Sequence, residues 1–155
     1  MPARPATLRL LLVEDHAQDV RLLQEAFRET GFAVDLQACP DAEAAWKALQ
    51  AAQRPADLPQ AILLDLNLPG TSGHEFLARL NQDARLRALP VVVLTSSNHP
   101  SDVERARAGA ASAYFLKPLT LAGYLTLAGE LQTLWRNGLP RRPSAARPAG
   151  HRANP

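Results

Sequence analysis

Five apolar runs of strand length, at 8–13, 33–38, 60–65, 90–94 and 113–116, alternate along the chain with segments whose apolar residues recur at helical spacing. Few folds accept that alternation. Strands that are apolar at successive positions need cover on both faces, and strands separated by helices are joined by crossovers. The pattern therefore predicts an α/β fold with one doubly wound sheet of five parallel strands and helices on either side.

The helical segments have readable limits. In the first, Val20, Leu23 and Phe27 share a face and Gly31 supplies a stop. The second is expected over 42–52, and the third from Gly73 to about Leu86, with Phe76, Leu77 and Leu80 inward. "SDVE" at 101–104 reads as a capping box, with Ser101 and Glu104 each satisfying an amide, and opens a fourth helix that runs to Gly109. The fifth is expected from Thr120 to Arg136.

A length of 155 residues, 46% of them hydrophobic, suits one compact domain. Residues 139–155 hold four arginines, four prolines and no acid, too little apolar surface to fold alone. The expected organisation is an N-terminal extension at 1–7, one domain at 8–138 and a tail at 139–155. With those arginines set aside, 13 of the 17 basic residues face all 15 acids, so the domain is slightly acidic. Direct nucleic-acid binding through the tail finds no other support and is not expected. The single cysteine, Cys39, fits a reducing compartment and excludes cysteine-based metal sites. "LRLLLV" at 8–13 is short, interrupted by Arg9 and followed by acids, so it is neither a signal peptide nor a membrane span. The cytoplasm is the expected location.

Ligands of doubly wound sheets sit at the carboxyl ends of the strands. Glu14 and Asp15 follow the first strand, Asp65 the third, Thr95 and Ser96 the fourth, and Lys117-Pro118 the fifth. Each alone is ordinary turn chemistry. Together they place three carboxylates, a hydroxyl and an ammonium on one rim, where the acids repel unless a cation joins them. Carboxylate and carbonyl oxygens select a hard ion, and few protein ligands suit Mg2+ better than Ca2+. Fifteen of the 17 basic residues are arginine, so lysine at 117 runs against the bias of the chain. A compact ammonium can point at one phosphoryl oxygen where a planar guanidinium does not fit. Pro118 offers a cis turn there.

Glu14-Asp15, Asp65 in "DLNLPG", Thr95, and Tyr114 three residues before Lys117-Pro118 resemble the receiver domain of bacterial two-component response regulators, over roughly residues 8–136. The resemblance implies a flavodoxin-like (βα)5 receiver in which Asp65 accepts a phosphoryl group from a phosphohistidine of a sensor histidine kinase. It implies Mg2+ held by Asp15, Asp65 and the main-chain carbonyl of Asn67. Glu14 replaces the usual aspartate and reaches the metal through water. Lys117 and Thr95 would assist the transfer, and Thr95 and Tyr114 would form the switch, the tyrosine ring turning inward as the hydroxyl moves. The protein is then a signalling protein, not an enzyme beyond its own phosphorylation and dephosphorylation, and its output is a protein contact. "LNLPG" and "VVVLTSS" most resemble regulators that work beside bacteriophytochrome kinases. A related phosphatase would need an acid where Asn67 stands.

On the fifth helix, Leu127 and Leu134 lie off the stripe of Leu121, Leu125, Ala128 and Trp135. One sheet cannot cover both sets, so a homodimer through the fourth helix, fifth strand and fifth helix is expected, the surface through which such regulators commonly pair. His16, His74, His99 and His151 show no ligand spacing and are expected at the surface, with His16 at the pocket rim; Trp46 and Trp135 are expected to pack.

Overall fold

The computed structural model describes residues 7–138. The tail, His151 and all but the last residue of the extension lie outside the described residues. The elements are β1 Leu8–Val13, α1 Ala17–Thr30, β2 Val34–Cys39, α2 Ala42–Ala51, β3 Ala61–Leu64, α3 Gly73–Asn81, β4 Val91–Thr95, α4 Pro100–Ala108, β5 Ala113–Leu116 and α5 Leu121–Arg136. Every pairing is parallel, in the order β2-β1-β3-β4-β5. This is the doubly wound five-stranded sheet that the alternation predicts.

Alternate residues of the central strands feed opposite cores, as a two-residue period requires. Leu10, Leu12, Leu63, Val92 and Leu94 pack with Leu23 and Phe27 of α1 and with Tyr124, Leu127 and Leu131 of α5. Leu11, Val13, Ile62 and Leu64 pack instead with Leu49 of α2 and with Phe76, Leu77 and Leu80 of α3. Val93 and Leu66 meet Ala106 of α4. Each fully buried side chain of this size contributes about 1.5–3 kcal/mol, so helices on both faces stabilise the sheet.

The helix ends follow local chemistry. Gly31 stops α1 at φ 72°, and the Phe32 amide donates back to the Phe27 carbonyl at 3.1 Å. α3 ends at Asn81, short of Leu86, because Asp83 Oδ1 accepts the Arg85 amide at 2.8 Å and turns the chain, while Leu86 stays buried. The capping box belongs to α3: Ser72 Oγ accepts the Glu75 amide at 3.2 Å and Glu75 Oε1 accepts the Ser72 amide at 2.9 Å. None forms between Ser101 and Glu104. Pro100 occupies the first helical position of α4, and His99 caps it, its Nδ1 accepting the Ser101 amide at 3.2 Å. The bond before Pro118 is trans, like every peptide bond among the described residues.

α5 also departs from expectation. Its buried face is Tyr124, Leu127, Ala128 and Leu131, with Leu125, Leu134 and Trp135 packed at the margin of the same core. Leu121 is exposed instead, because the helix is rotated to set Tyr124 against the sheet. Trp46 packs on α2, as expected, with the Arg79 guanidinium 4.2 Å from its ring centroid.

At the amino-terminal edge of the sheet two arginines bind carbonyls. Arg9 Nη1 donates to Ala56 O at 2.8 Å and Leu58 O at 2.6 Å, fixing the 3-10 turn Pro55–Asp57 before β3. Arg85 donates to Ala52 O at 2.9 Å and Leu49 O at 3.1 Å, closing the end of α2.

Gly73 sets how closely α3 approaches β3. A Cβ there would lie 2.5 Å from Leu66 Cα and 2.6 Å from Asp65 O, both backbone atoms. Gly73→Ala is expected to cost about 2–3 kcal/mol in a urea titration. Gly129→Ala, which meets nothing within 4 Å inside α5, is the control and should stabilise by up to about 1 kcal/mol.

Candidate functional site

Because all strands run the same way, their carboxyl ends share one edge, and the strand order reverses between β1 and β3 at that edge. Amide bonds carry the ladder one residue past each strand: Glu14 N to Cys39 O at 3.0 Å, Asp65 N to Val13 O at 3.0 Å, and Lys117 N to Thr95 O at 2.8 Å. Glu14, Asp65 and Lys117 are thus fixed by the sheet itself, before any side chain contributes. Gly70, at φ 72°, and Gly73 then turn the chain away, and α3 starts without covering the edge.

Lys117 Nζ lies 2.8 Å from Glu14 Oε1, 3.0 Å from Asp65 Oδ2 and 3.1 Å from Asp19 Oδ2. Glu14 and Asp65 are only 4% and 2% exposed, so the ammonium is what makes their burial tolerable. Burial disfavours the Lys117 charge, yet hydrogen bonds to Glu14 and Asp65 outweigh it and raise its pKa. Burial also raises the Glu14 pKa, against the pull of Lys117. His16 stands at the rim as predicted, with Nδ1 3.1 Å from Glu14 Oε2 and 3.4 Å from Asp15 Oδ1; its bond to Glu14, then the charge of Asp15, raise its pKa. Ligand atoms of Glu14, Asp15, His16 and Asp65 all fall within 4.8 Å of one another. Three carboxylates in that space suit a hard divalent cation.

Asn67 ties Asp65 to the fourth strand. Its amide donates to Asp65 Oδ1 at 3.0 Å and its side-chain Nδ2 to Thr95 Oγ1 at 3.3 Å. Thr95 is fully buried and also accepts the Ser97 amide at 3.3 Å. Tyr114 donates its hydroxyl to Ser97 O at 2.6 Å, so the ring already reaches the loop, and burial followed by the charge of Asp102 raises its pKa. Ser97 Oγ donates to Asp102 Oδ2 at 2.5 Å, and Asp102 Oδ1 meets His74 Nε2 at 3.3 Å. Here one expectation fails: the His74 side chain is 10% exposed, held between α3 and α4 by that pair, whereas His16 and His99 are at the surface.

The structure brings together Glu14, Asp15, Asp65, Asn67, Thr95 and Lys117, and attaches Tyr114 through Ser97. Sequence reasoning missed Asp19, Ser97, Asp102 and His74. Asp19 had a usable signal, since it is the acid in the first turn of α1, the helix that begins at this rim.

A five-stranded parallel doubly wound sheet with a lysine and clustered acids at its carboxyl edge marks a flavodoxin-like receiver fold. Residues 10–127 match the family described as response regulator receiver domain, and the chain belongs to that family. It is 36% identical to the probable methanogenesis regulatory protein FilR2 of Methanothrix harundinacea over 138 residues, 88% of each chain. Among solved structures it is similar to the phosphorylated cyanobacterial phytochrome response regulator RcpA, with TM-score 0.76, 30% identity, and 88% and 99% of the two chains covered. The Mn2+-bound form of response regulator Rcp1 gives TM-score 0.74 at 32% identity with the same coverage. The chain is a response regulator receiver, of a family that binds divalent cations at an acidic pocket and partners with sensor histidine kinases. No helix among the described residues is long and apolar enough to cross a membrane.

Bonds from Ser97 and then His74 lower the Asp102 pKa. A depressed carboxyl stabilises the fold above its unfolded pKa, about 3.9, and loses that contribution as pH falls through the folded value. Asp102→Asn should therefore cost about 1 kcal/mol at pH 7, discounted for partial exposure, and the difference from wild type should shrink in parallel urea titrations as the pH falls below the unfolded value and through the lowered folded one.

Proposed function

We propose that Asp65 is the phosphoacceptor of this receiver and that a sensor histidine kinase, of the bacteriophytochrome type, is the donor. The observation that carries the reading is the Asp65 carboxylate itself: almost fully buried, aimed by β3, bound by Lys117 at 3.0 Å and tied through Asn67 to Thr95. An Asp65 oxygen forms the new O–P bond as the N–P bond of the phosphohistidine breaks, and the departing imidazole takes up a proton. Lys117 would meet charge on one phosphoryl oxygen, and the Thr95 hydroxyl would donate to another. Asp15, Asp65 and the Asn67 carbonyl, with Glu14 beside them, would hold Mg2+, which when bound neutralises phosphoryl charge. The similarity to RcpA supports the choice of kinase class.

Thr95 and Tyr114 both bond Ser97, which supports their role as the switch: a Thr95 hydroxyl drawn to the phosphoryl group must release or drag the Ser97 amide, and Ser97 O holds the tyrosine. The chain's catalysis is confined to its own phosphorylation and dephosphorylation. Incubated with acetyl phosphate and Mg2+, the wild type should take up label and Asp65→Asn none; uptake by the variant at the wild-type level would overturn the assignment. In the same buffers millimolar Mg2+ should raise the melting temperature of the wild type, since it binds the folded acid cluster only.

The face of α4, β5 and α5 is the proposed homodimer surface. Leu116, Leu119 and Leu121 are the large apolar side chains exposed among the described residues, at 48%, 97% and 37%, and they adjoin one another in sequence between β5 and α5. Light scattering at micromolar concentration should give a dimer for the wild type and a monomer for Leu119→Glu. A monomeric wild type removes the proposal.

A further inference from the structure

We infer that Asp19 is a positioning residue for Lys117, the carboxylate that keeps the ammonium aimed at Asp65 when its other partners are drawn away. The inference rests on Asp65 being the phosphoacceptor and adds a residue to that site. An ammonium has three donors. Lys117 directs them to Glu14 Oε1, Asp65 Oδ2 and Asp19 Oδ2, at 2.8, 3.0 and 3.1 Å.

Two of those acceptors have another claim on them. Glu14 and Asp65 belong to the group of donor atoms that lie within 4.8 Å of one another, and Asp65 is also the group that reacts. Asp19 stands outside that group, in the first turn of α1. Once an Asp65 oxygen is bonded to phosphorus, its charge passes to the phosphoryl oxygens and the N–H it held turns to one of them. The other cationic neighbour of Asp19, His16 Nδ1, is farther, at 3.8 Å against 3.1 Å for Lys117, so Asp19 stays with Lys117. A lysine head on a four-carbon stem is strongly hydrated and swings out when unpartnered, whereas a carboxylate on a helix gives it a fixed stop.

A second observation points to the same residue. Tyr124 of α5 is 1% exposed, and its buried hydroxyl lies within interaction range of the Asp19 carboxylate, short of a regular hydrogen bond. Its pKa is raised by burial and then by the negative charge of Asp19, so the phenol lies within the field of that carboxylate. Asp19 thus has the Lys117 ammonium as its partner, the Tyr124 hydroxyl nearby and the His16 ring 3.8 Å away, and these groups hold the carboxylate in place.

The test compares wild type, Asp19→Asn and Asp19→Glu as full chains, with circular dichroism to establish folding. Two quantities are read: the rate of phosphorylation by acetyl phosphate, and the Mg2+ concentration at half-maximal thermal stabilisation. Asp19→Asn should slow phosphorylation at least about fivefold, Asp19→Glu should recover most of the loss, and the Mg2+ midpoint should stay within about threefold throughout. A smaller slowing, no recovery with glutamate, or an Mg2+ midpoint that moves in step with the rate would each overturn the inference, the last by making Asp19 a metal ligand. Normal phosphorylation of wild type and variant alike would sink Asp19 and spare Asp65; a wild type that takes up no phosphoryl group would sink both.

Discussion

One ammonium group holds the functional edge together. Lys117 follows β5, two strands away from Asp65 and three from Glu14 in the order of the sheet. Strands lie about 4.8 Å apart, so the reach to Asp65 is on the order of 10 Å less whatever the loops supply, and only a long side chain covers it. The strand passed over, β4, ends on the short side chain of Thr95. Without the lysine, Glu14 and Asp65 would be two buried carboxylates held side by side by the strand ladder, and one of them would be driven to take up a proton. The sheet puts the acids in place, and Lys117 makes the place habitable.

Reading the chain in advance recovered the sheet and most of this edge for a simple reason. Apolar runs and strand-end charges are local signals, and a parallel sheet maps every strand end to the same side. Lysine at 117 stood out against fifteen arginines. The failures share a cause as well. The rotation of α5, which buries Leu127 and exposes Leu121, is decided by how Tyr124 packs on the sheet, and helical spacing alone permits several rotations. Ser101 forms no box because Pro100 takes the first helical position of α4 and leaves the cap to His99, while Ser72 and Glu75, at the same S-x-x-E spacing, form one at the start of α3. His74 and Asp102 are 28 residues apart and meet only because α3 and α4 lie side by side.

Ser97 gives the edge a second level of organisation. Its amide, hydroxyl and carbonyl bond Thr95, Asp102 and Tyr114 respectively, so one loop residue joins β4, α4 and β5. Through Asp102 the connection extends to His74 on α3. A displacement of the Thr95 hydroxyl cannot be absorbed by Thr95 alone, because the groups bonded to Ser97 sit on three different elements. Asn67 brings the other end of the chain of contacts to Asp65. The route from the carboxylate to the α4–β5 surface is therefore continuous in hydrogen bonds.

The two edges of the sheet are built from different bonds. At the carboxyl edge, cohesion is between ionised groups, and protons, salt and divalent cations all act on it. At the amino edge, Arg9 and Arg85 hold the backbone by their carbonyls, which do not titrate, and guanidinium groups stay charged at any pH the fold meets. The bias toward arginine has a structural use here, since a planar fork can grip two carbonyls at once. Protons and divalent cations therefore act chiefly at the carboxyl edge, while the carbonyls held by Arg9 and Arg85 keep their bonds over the same conditions and, of the groups around the Pro55–Asp57 turn, only the Arg54–Asp57 pair titrates.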